Sequence, residues 1–324
     1  MKLLVLGGTK FLGRAAVESA LDRGHEVTLF NRGETNPELF PDVEKLRGDR
    51  TDPRTHSVLE GRWWDAVIDP SGYLPQVVRA SAEALRDSTD RYLFVSSVSV
   101  YANLSAGPDE DAPRGELGEM PADEVMDDYE NYGPLKALCE DAVWGVYGDR
   151  AIIVRPGLIV GPHDPTGRFT YWPHRVARGG EILVPGPPDG KVQFIDVRDL
   201  GAWLIDLLER GESGAFNATR PGVSWAELID AGRATSGSDA RPVFVSEEFL
   251  QQHEVGEWME LPMWLADPEW VGMNQADVSR AEAAGLRFRP VEETVRGALE
   301  EAETSEDAGM KPERERELLE AWRS

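Results

Sequence analysis

The chain has 324 residues, 41% of them hydrophobic, and its 59 acidic residues outnumber its 34 lysines and arginines to give a net charge of −25. That length fits one large domain or two closely associated ones, and the charge disfavours nucleic-acid phosphates and anionic membranes as partners. No apolar run is long enough to span a bilayer, the single cysteine excludes an intrachain disulfide, and the five histidines lack metal-ligand spacing. We therefore expect a cytoplasmic protein without a metal, whose acidity serves solubility or adaptation to high salt.

The first part of the chain alternates strand and helix patterns. The predicted strands, in chain order, are "KLLVLG", "EVTLFNR", "VEKLRGD", "WDAVIDPSGY" and "RYLFVSSVSVY". The predicted helices between them include "FLGRAAVESALDRGH", which ends at Gly24, and the segment 75–85. Strands separated by helices of this length predict βαβ units and a parallel sheet, with ligands outside the carboxyl ends of the strands.

The remainder of the chain is less regular. Residues 103–127 are rich in Asp, Glu, Gly and Pro and predict an exposed loop, after which "DYENYGPLKALCEDAVWGVYG" predicts a helix that begins around residues 127–130. "AIIVRPGLIVG" predicts a strand, "PHDPTGRFTYWPHRVARGG" and "VPGPPDG" predict loops around one helix, and "VQFIDVRDLGAWLIDLLERG" predicts a short strand and a helix. Helices and short strands follow Val223, and the tail "KPERERELLEAWRS" predicts a surface helix.

These patterns predict an α/β protein with a Rossmann-type doubly wound parallel sheet and a smaller, discontinuous C-terminal substrate domain. The dinucleotide-binding domain is expected to comprise residues 1–160 and 191–220. Residues 161–190 and 221–300 are expected to form the substrate-binding region, and residues 301–324 a C-terminal tail helix.

The segment "GGTKFLG" follows the first strand and opens the first helix. Gly7 permits a tight turn and Gly13 permits close packing of helix on strand, while the free N–H groups of the helix N-terminus favour a pyrophosphate. Lys10 stands where the middle glycine of such a turn is expected. Glycine-rich turns are common, but the strand before this one and the helix after it favour a dinucleotide site.

The end of the second strand, "LFNRG", bears on the choice of cofactor. An NAD site usually has Asp or Glu there, whereas Asn31 and Arg32 do not repel a 2′-phosphate and Arg32 can bind one. Lys10 and Arg14 either add positive charge or are solvated residues at the start of the helix. Asp49 either contacts the adenine or caps a turn. The sequence therefore predicts NADP rather than NAD.

The helical segment "NYGPLKALCE" places Tyr132 and Lys136 four residues apart, on one face. An ammonium near a phenol lowers the phenol pKa from its usual value near ~10, so that Tyr132 could exchange a proton with an alcohol or a carbonyl. Strand alternation predicts Ser97 and Ser99 on one side of the fifth strand and Ser96 on the other. A serine at this edge could orient the substrate oxygen toward the tyrosine. The three features in this order are more specific than any one alone.

With these motifs the chain resembles an atypical extended short-chain dehydrogenase/reductase of the NAD-dependent epimerase/dehydratase family. The resemblance covers nearly the whole chain through "GGTKFLG", "GD" at 48–49, "FVSSVSVY", "YGPLK", "VRPGLIVGP", "FIDVRDL", "FNATRPG" and "AAGLRFRP". It implies that Ser97, four residues before Tyr101, is the catalytic serine, that Tyr132 is the general acid/base, and that Lys136 binds the nicotinamide ribose and lowers the tyrosine pKa. It implies contacts to the cofactor from Gly7, Thr9, Lys10, Phe11, Leu12, Gly13, Asn31, Arg32, Asp49, Pro70, Ser71, Tyr132, Lys136 and Pro156.

The sequence departs from the sugar-nucleotide enzymes of that family. Val98 and Ser99 stand where the 4,6-dehydratases carry an Asp-Glu pair, and Val192 stands where 4-epimerase-like members carry an arginine for the diphosphate. A second such arginine is missing from "DPEWVGMNQ", and a diphosphate without charged partners binds poorly. The candidate substrate residues are Ser99, His163, Arg168 and Trp172, while the later tryptophans 258, 264 and 270 either line a pocket or pack in a core.

Three functions remain open at this level. The first is an NAD(P)-dependent oxidoreductase that transfers a hydride to or from a carbonyl or alcohol, with Tyr132 passing the proton. The second is a sugar or sugar-nucleotide epimerase with a tightly bound cofactor. The third is an RNA-binding atypical member without catalysis, since some atypical chloroplast members share a "GGT-basic-F" turn, although the charge of −25 opposes it. We expect a small-molecule substrate and neither a nucleic-acid nor a membrane partner; a homodimer stays open.

Overall fold

The strands and helices come from a computed structural model that describes residues 1–118, 129–302 and 304–324. The strands are β1 (Lys2–Leu6), β2 (Glu26–Asn31), β3 (Glu44–Arg47), β4 (Trp64–Asp69), β5 (Thr89–Val95), β6 (Ala151–Pro156), β7 (Ile159–Val160), β8 (Glu181–Pro185), β9 (Lys191–Val192), β10 (Ile195–Asp196), β11 (Gly214–Ala218), β12 (Val223–Ser224), β13 (Arg241–Val245), β14 (Glu257–Trp258) and β15 (Leu261–Pro262). The α-helices are α1 (Phe11–Asp22), α2 (Pro75–Leu85), α3 (Tyr129–Tyr147), α4 (Tyr171–Ala177), α5 (Val197–Arg210), α6 (Trp225–Ser236), α7 (Glu247–Gln252), α8 (Ser279–Ala283), α9 (Val291–Glu301) and α10 (Pro312–Trp322).

A seven-stranded parallel sheet in the order β11-β6-β5-β4-β1-β2-β3 organises the first part of the chain. Helices α1 and α5 pack together on one face and helices α2 and α3 on the other. Because β1 pairs with both β2 and β4, the chain reverses its direction of winding there, and a crevice opens at the carboxyl ends of these strands. The predicted doubly wound Rossmann-type sheet is therefore present.

A second core lies among residues that follow β6. It contains the buried face of α4, α6 and α9 together with the paired strands β8 and β13. The tail helix α10 packs against it through Leu318 and Leu319, and its buried Glu315 forms an ion pair with Arg175 at 2.6 Å. The tail is thus a helix, as predicted, but one face of it is docked on the core.

Several predicted boundaries differ from the structure. The fifth strand ends at Val95, since the side chain of Ser97 accepts the backbone N–H of Ser99 and begins a 3₁₀ turn over Val98–Val100. The sixth predicted strand is divided into β6 and β7, and β8 lies between the two predicted loop segments and overlaps the start of the second. These short strands depend on partners distant in sequence, which local patterns do not reveal.

The predicted exposed loop 103–127 is described as far as residue 118, so its remainder and the expected helix start at residues 127 and 128 lie outside the described residues. In the described part the prediction of exposure is wrong for Glu110, which is 8% exposed. Its carboxylate accepts the backbone N–H of Asn217 at 2.8 Å. Burial of this carboxylate is tolerated because a hydrogen bond from a residue more than a hundred positions away compensates for the lost contact with water.

Among the described ranges, no helix is both long and apolar enough to cross a membrane. Within the same ranges, no group of three or more His, Cys, Asp or Glu side chains could hold a metal ion.

Candidate functional site

A cleft of about 1970 Å³ opens at the carboxyl ends of β1, β2, β4 and β5. Single-ligand pockets usually measure about 300–1000 Å³, so the cleft has room for a dinucleotide and a second molecule. Every residue for which the sequence implied a cofactor contact lies along this cleft, as do Ser97, Ser99 and Arg168.

The glycine turn forms one end of the cleft. Gly7 has a φ of +110°, a conformation that favours glycine, and a Cβ at Gly13 would lie 3.1 Å from the backbone nitrogen of Gly8. The side chain of Thr9 donates to the carbonyl of Thr35 at 2.8 Å, which holds the following loop against the turn. Lys10 is exposed and extended, directly before the first residue of α1. The turn therefore presents the N-terminus of α1 to the cleft with the lysine side chain in solvent.

The end of β2 carries the groups that the sequence assigned to cofactor selection. Asn31 donates to the carbonyl of Gly7 at 2.8 Å and accepts a hydrogen bond from Arg47, its register partner on β3. Arg32 is 59% exposed and pairs with Glu34 at 3.1 Å. Asp49 accepts the backbone N–H and the hydroxyl of Thr51, and these two hydrogen bonds lower the pKa of its carboxyl. Two guanidinium groups, one of them not identified from the sequence, thus flank Asn31.

The serines belong to a turn and do not alternate along a strand. Ser97 donates to the hydroxyl oxygen of Ser99 at 3.1 Å, and both side chains lie along the cleft. Ser96 also borders the cleft. Because β5 ends at Val95, the strand alternation that was expected to separate Ser96 from Ser97 and Ser99 does not continue through them. The Ser96 hydroxyl is buried and has no hydrogen-bond partner among the described residues.

Tyr132 reaches the cleft from the first turns of α3. The next residue, Gly133, packs directly on the serine turn, where a Cβ would lie 2.0 Å from the carbonyl oxygen of Ser99. Pro134 lies inside α3, where its ring nitrogen cannot donate an intrahelical hydrogen bond. The close approach at Gly133 is therefore what places the tyrosine beside the serines.

Lys136 lies one helical turn further on and is 2% exposed. Its ammonium donates to the carbonyls of Gly72 and Val95, both at 2.7 Å, and lies 4.3 Å from the centroid of the Phe94 ring. Burial lowers the pKa of this lysine to about 8. The lysine is thus charged at neutral pH and fixed between the ends of β4 and β5.

A buried ion pair supports this part of the cleft from below. Asp69 binds Arg50 through two hydrogen bonds of 2.6 and 2.7 Å and accepts the hydroxyl of Tyr92 at 2.8 Å. Desolvation is the largest influence on Asp69 and opposes its ionisation. The charge and hydrogen bonds of Arg50, the hydroxyl of Tyr92 and the charge of Lys136 together outweigh it, so the pKa of the carboxyl is lowered. The same carboxylate accepts the backbone N–H of Ser71, so it orders the turn that supplies the Gly72 carbonyl to Lys136.

The opposite side of the cleft is formed by a set of residues that we call the C-terminal wall. Its members are Pro165, Thr166, Arg168, Val255, Glu257, Trp258, Leu265, Asp267, Trp270 and Met273. Trp258 has a φ of +65°, a strained backbone conformation for a bulky residue, and the guanidinium of Arg168 lies 5.0 Å from the centroid of its ring.

Two of the predicted substrate residues lie elsewhere. Trp172 is fully buried in the second core, donates to the carbonyl of Pro262 at 2.9 Å and packs on Trp225. His163 faces the C-terminal end of α9, where it pairs with Glu301 at 3.6 Å. Neither lies along the cleft. Of the later tryptophans, Trp264 is buried in the core, whereas Trp258 and Trp270 belong to the C-terminal wall.

Comparison with known proteins identifies a family match and several relatives of this chain. The sequence profile of the family described as "NAD dependent epimerase/dehydratase family" matches residues 3–218. The chain is 26% identical to 2'-dehydrokanamycin reductase of Streptomyces kanamyceticus over 82% of its length and 75% of that protein. It is 27% identical to the chloroplast stem-loop binding protein of 41 kDa b of Arabidopsis thaliana over 67% of its length, but it spans 58% of that protein. It is also 29% identical to 2-alkyl-3-oxoalkanoate reductase of Stenotrophomonas maltophilia over 76% of this chain and 73% of that one.

Solved structures of similar fold include the Bordetella bronchiseptica enzyme WbmH in complex with NAD+, at 19% identity and a TM-score of 0.66 over 92% of this chain and 96% of that one. Another is UDP-glucose 4-epimerase from Thermotoga maritima, at 16% identity and a TM-score of 0.67 over 93% and 98% of the two chains. At these identities the likeness shows the fold alone.

Proposed function

The chain belongs to the NAD-dependent epimerase/dehydratase family, and we propose that it is an NAD(P)-dependent oxidoreductase of the extended short-chain dehydrogenase/reductase type. In this proposal it interconverts a carbonyl and an alcohol. The observation that carries the proposal is the single cleft that contains the glycine turn, Ser97, Tyr132 and Lys136.

The residues present fit a nicotinamide dinucleotide. The positive φ of Gly7 and the close approach of Gly13 to Gly8 leave main-chain N–H groups of the α1 N-terminus open to a pyrophosphate. Arg32 and Asp49 would hold the adenosine end, and Lys136 the nicotinamide ribose. Lys10 departs from the usual glycine, but its side chain is exposed and does not fill the turn.

The chemistry that this cofactor supplies when bound is hydride transfer to or from carbon. Tyr132 gives its phenolic proton to the substrate oxygen in reduction and takes it back in oxidation. Ser97 holds that oxygen, and its own orientation is fixed by the N–H of Ser99, which it accepts at 3.1 Å. The buried charge of Lys136 favours the phenolate form of the tyrosine.

NADP rather than NAD is the proposed cofactor, because positive charge flanks the end of β2. Arg32 follows Asn31 in the chain, and Arg47 binds the side chain of Asn31. Neither Asp nor Glu stands at positions 31 and 32. Glu34 competes for Arg32, so a 2′-phosphate would have to displace an exposed ion pair, which costs little.

A net reduction fits better than an epimerisation because the arginines that the sugar-nucleotide enzymes use for a substrate diphosphate are missing at the corresponding positions of this chain. Val192, at the position where the resemblance calls for such an arginine, is 1% exposed and packs in the second core. Two relatives, 2'-dehydrokanamycin reductase and 2-alkyl-3-oxoalkanoate reductase, are named as reductases, which supports the same reaction class.

The proposal is tested with a panel of ketones, aldehydes and sugar nucleotides supplied with NADPH or NADH. We expect stoichiometric oxidation of NADPH with a carbonyl substrate, whereas an epimerase would convert its substrate without net consumption. A protein that binds neither dinucleotide, yet shifts a stem-loop RNA in a salt-sensitive gel assay, would contradict the proposal.

A further inference from the structure

The C-terminal wall has a composition suited to a cation. Its two tryptophans, Trp258 and Trp270, line the cleft, and Trp270 is 38% exposed. Beside them stand the carboxylates of Glu257 and Asp267. Tryptophan faces together with carboxylates are the side chains that proteins use to bind organic ammonium groups.

Both carboxylates are fixed in place by main-chain donors. Glu257 accepts the backbone N–H groups of Ala266 and Asp267 through one oxygen, at 2.7 and 3.2 Å. Asp267 accepts the backbone N–H of Glu269 at 2.9 Å, also through one oxygen. Each carboxylate therefore has a second oxygen that these bonds leave for another donor, and little side-chain entropy is lost when a ligand binds.

The same wall is poorly suited to an anion. Among its members Arg168 is the one cationic side chain, and its guanidinium stacks on the ring of Trp258. Glu116 adds a further acid to the described rim of the cleft. A phosphate or carboxylate on the substrate would thus meet more negative than positive charge on this side, and like charges in contact disfavour binding.

We propose that the C-terminal wall binds a positively charged amine of the substrate, so that the carbonyl or alcohol substrate of this protein is an organic cation. This inference rests on the proposed function, because the same cleft must deliver the substrate oxygen to Ser97 and Tyr132. The amine lies against Trp270 and is paired with Asp267, and the reacting carbon lies on the opposite side of the cleft.

The probes are three ring alcohols that differ in one substituent: 4-aminocyclohexanol, 1,4-cyclohexanediol and 4-hydroxycyclohexanecarboxylate, with UDP-glucose as a diphosphate. Their dissociation constants for the full chain are measured by ligand-observed NMR, with and without NADP. We expect the amine to bind about tenfold more tightly than the carboxylate. One exposed ion pair and one cation–π contact together contribute a difference in affinity of about that size. Tighter binding of the carboxylate or of UDP-glucose, or equal affinities, would overturn the proposal.

Charge variants separate this site from a general effect of the acidic surface. Asp267→Asn should reduce the preference for the amine to about twofold or less, because it removes the exposed partner charge. Glu269→Gln, which changes the net charge equally in an exposed neighbour outside the cleft, should leave the preference unchanged. An unchanged preference in Asp267→Asn, or an equal loss in both variants, refutes the assignment. Failure to bind NADP in the same titrations would refute the proposed function. The order of the probe affinities decides the proposal about the C-terminal wall.

Discussion

The backbone of Gly133 lies against the carbonyl oxygen of Ser99, so closely that a Cβ there would stand 2.0 Å from it. This contact joins the start of α3 to the serine turn and determines how Tyr132 approaches Ser97. A methyl group at residue 133 must move the helix or the turn, and either movement changes the position of the proton donor.

Gly133→Ala should therefore lower activity much more than it impairs folding. We expect a loss of about 1–3 kcal/mol in the free energy of unfolding from overpacking, and a fall in kcat of about a hundredfold from misplacement of the tyrosine. Gly145→Ala is the matched control, because it adds the same methyl to the same helix where no atom beyond its chain neighbours and the local helix backbone lies within 4 Å. Chemical denaturation and steady-state kinetics measure both effects. Equal activities in the two variants would show that the close approach does not position Tyr132.

Cofactor choice should depend on Arg32 and Arg47. A charge-assisted hydrogen bond to a phosphate contributes about 1.5–3 kcal/mol, so Arg32→Ala and Arg47→Ala should each weaken NADP binding by about tenfold and leave NAD binding unchanged. The loss should shrink as ionic strength rises, since both groups are near the surface. Calorimetric titration with the two cofactors measures the difference.

The control for this pair is Arg54→Ala, which removes an exposed arginine that binds Asp52. It should leave both affinities as they are. If the parent protein bound NADP and NAD equally, the assignment of these arginines to a 2′-phosphate would be refuted.

The sequence predicted the parallel sheet well because its first strands are continuous buried runs followed by helices of regular length. It also located the glycine turn and placed Tyr132 and Lys136 on one helix, since each pattern depends on residues close together in the chain. The position of Arg47 beside Asn31 was not recognised, although the pairing of β2 with β3 places it opposite Asn31 and an aligned register would have indicated it.

What the sequence did not predict depends on contacts between distant segments. The C-terminal wall is assembled from residues near 165 and near 260, and no local periodicity relates Arg168 to Trp258. Trp172 was assigned to the pocket because tryptophans occur both in cores and at binding sites, and only the packing against Trp225 decides between them. The sequence around Gly133 does not indicate its close contact with Ser99, because that contact depends on how α3 packs on the serine turn.

The lowered pKa of Lys136 predicts a characteristic response to pH. As the pH rises through about 8 the ammonium loses its charge, so dinucleotide affinity should fall above that value. The Lys136→Met variant should bind the dinucleotide weakly, with an affinity that does not change with pH over the same range. The apo protein should respond in the opposite sense. Between pH 8 and about 10 the unfolded lysine stays protonated while the folded one does not, so the free energy of unfolding of the parent should rise relative to Lys136→Met.

Calorimetry and denaturation at several pH values test both trends, with Lys45→Met as a control on a half-buried lysine whose ammonium binds the carbonyl of Pro37. Should affinity remain constant from pH 7 to about 10, the charge of Lys136 would have no part in cofactor binding.

Tyr132→Phe is the decisive test of the chemistry. The change removes one hydroxyl and keeps the ring, so the protein should fold and bind dinucleotide, while kcat should fall by about 10²–10⁴-fold because proton transfer is lost. Ser97→Ala should reduce kcat more than Ser99→Ala does. Ser97 is the residue that the resemblance assigns to the substrate oxygen, and Ser99 supports it through the bonds at 3.1 Å between them. Turnover of a substrate by Tyr132→Phe at the rate of the parent would disprove the mechanism, and a larger loss in Ser99→Ala would transfer the orienting role to that residue.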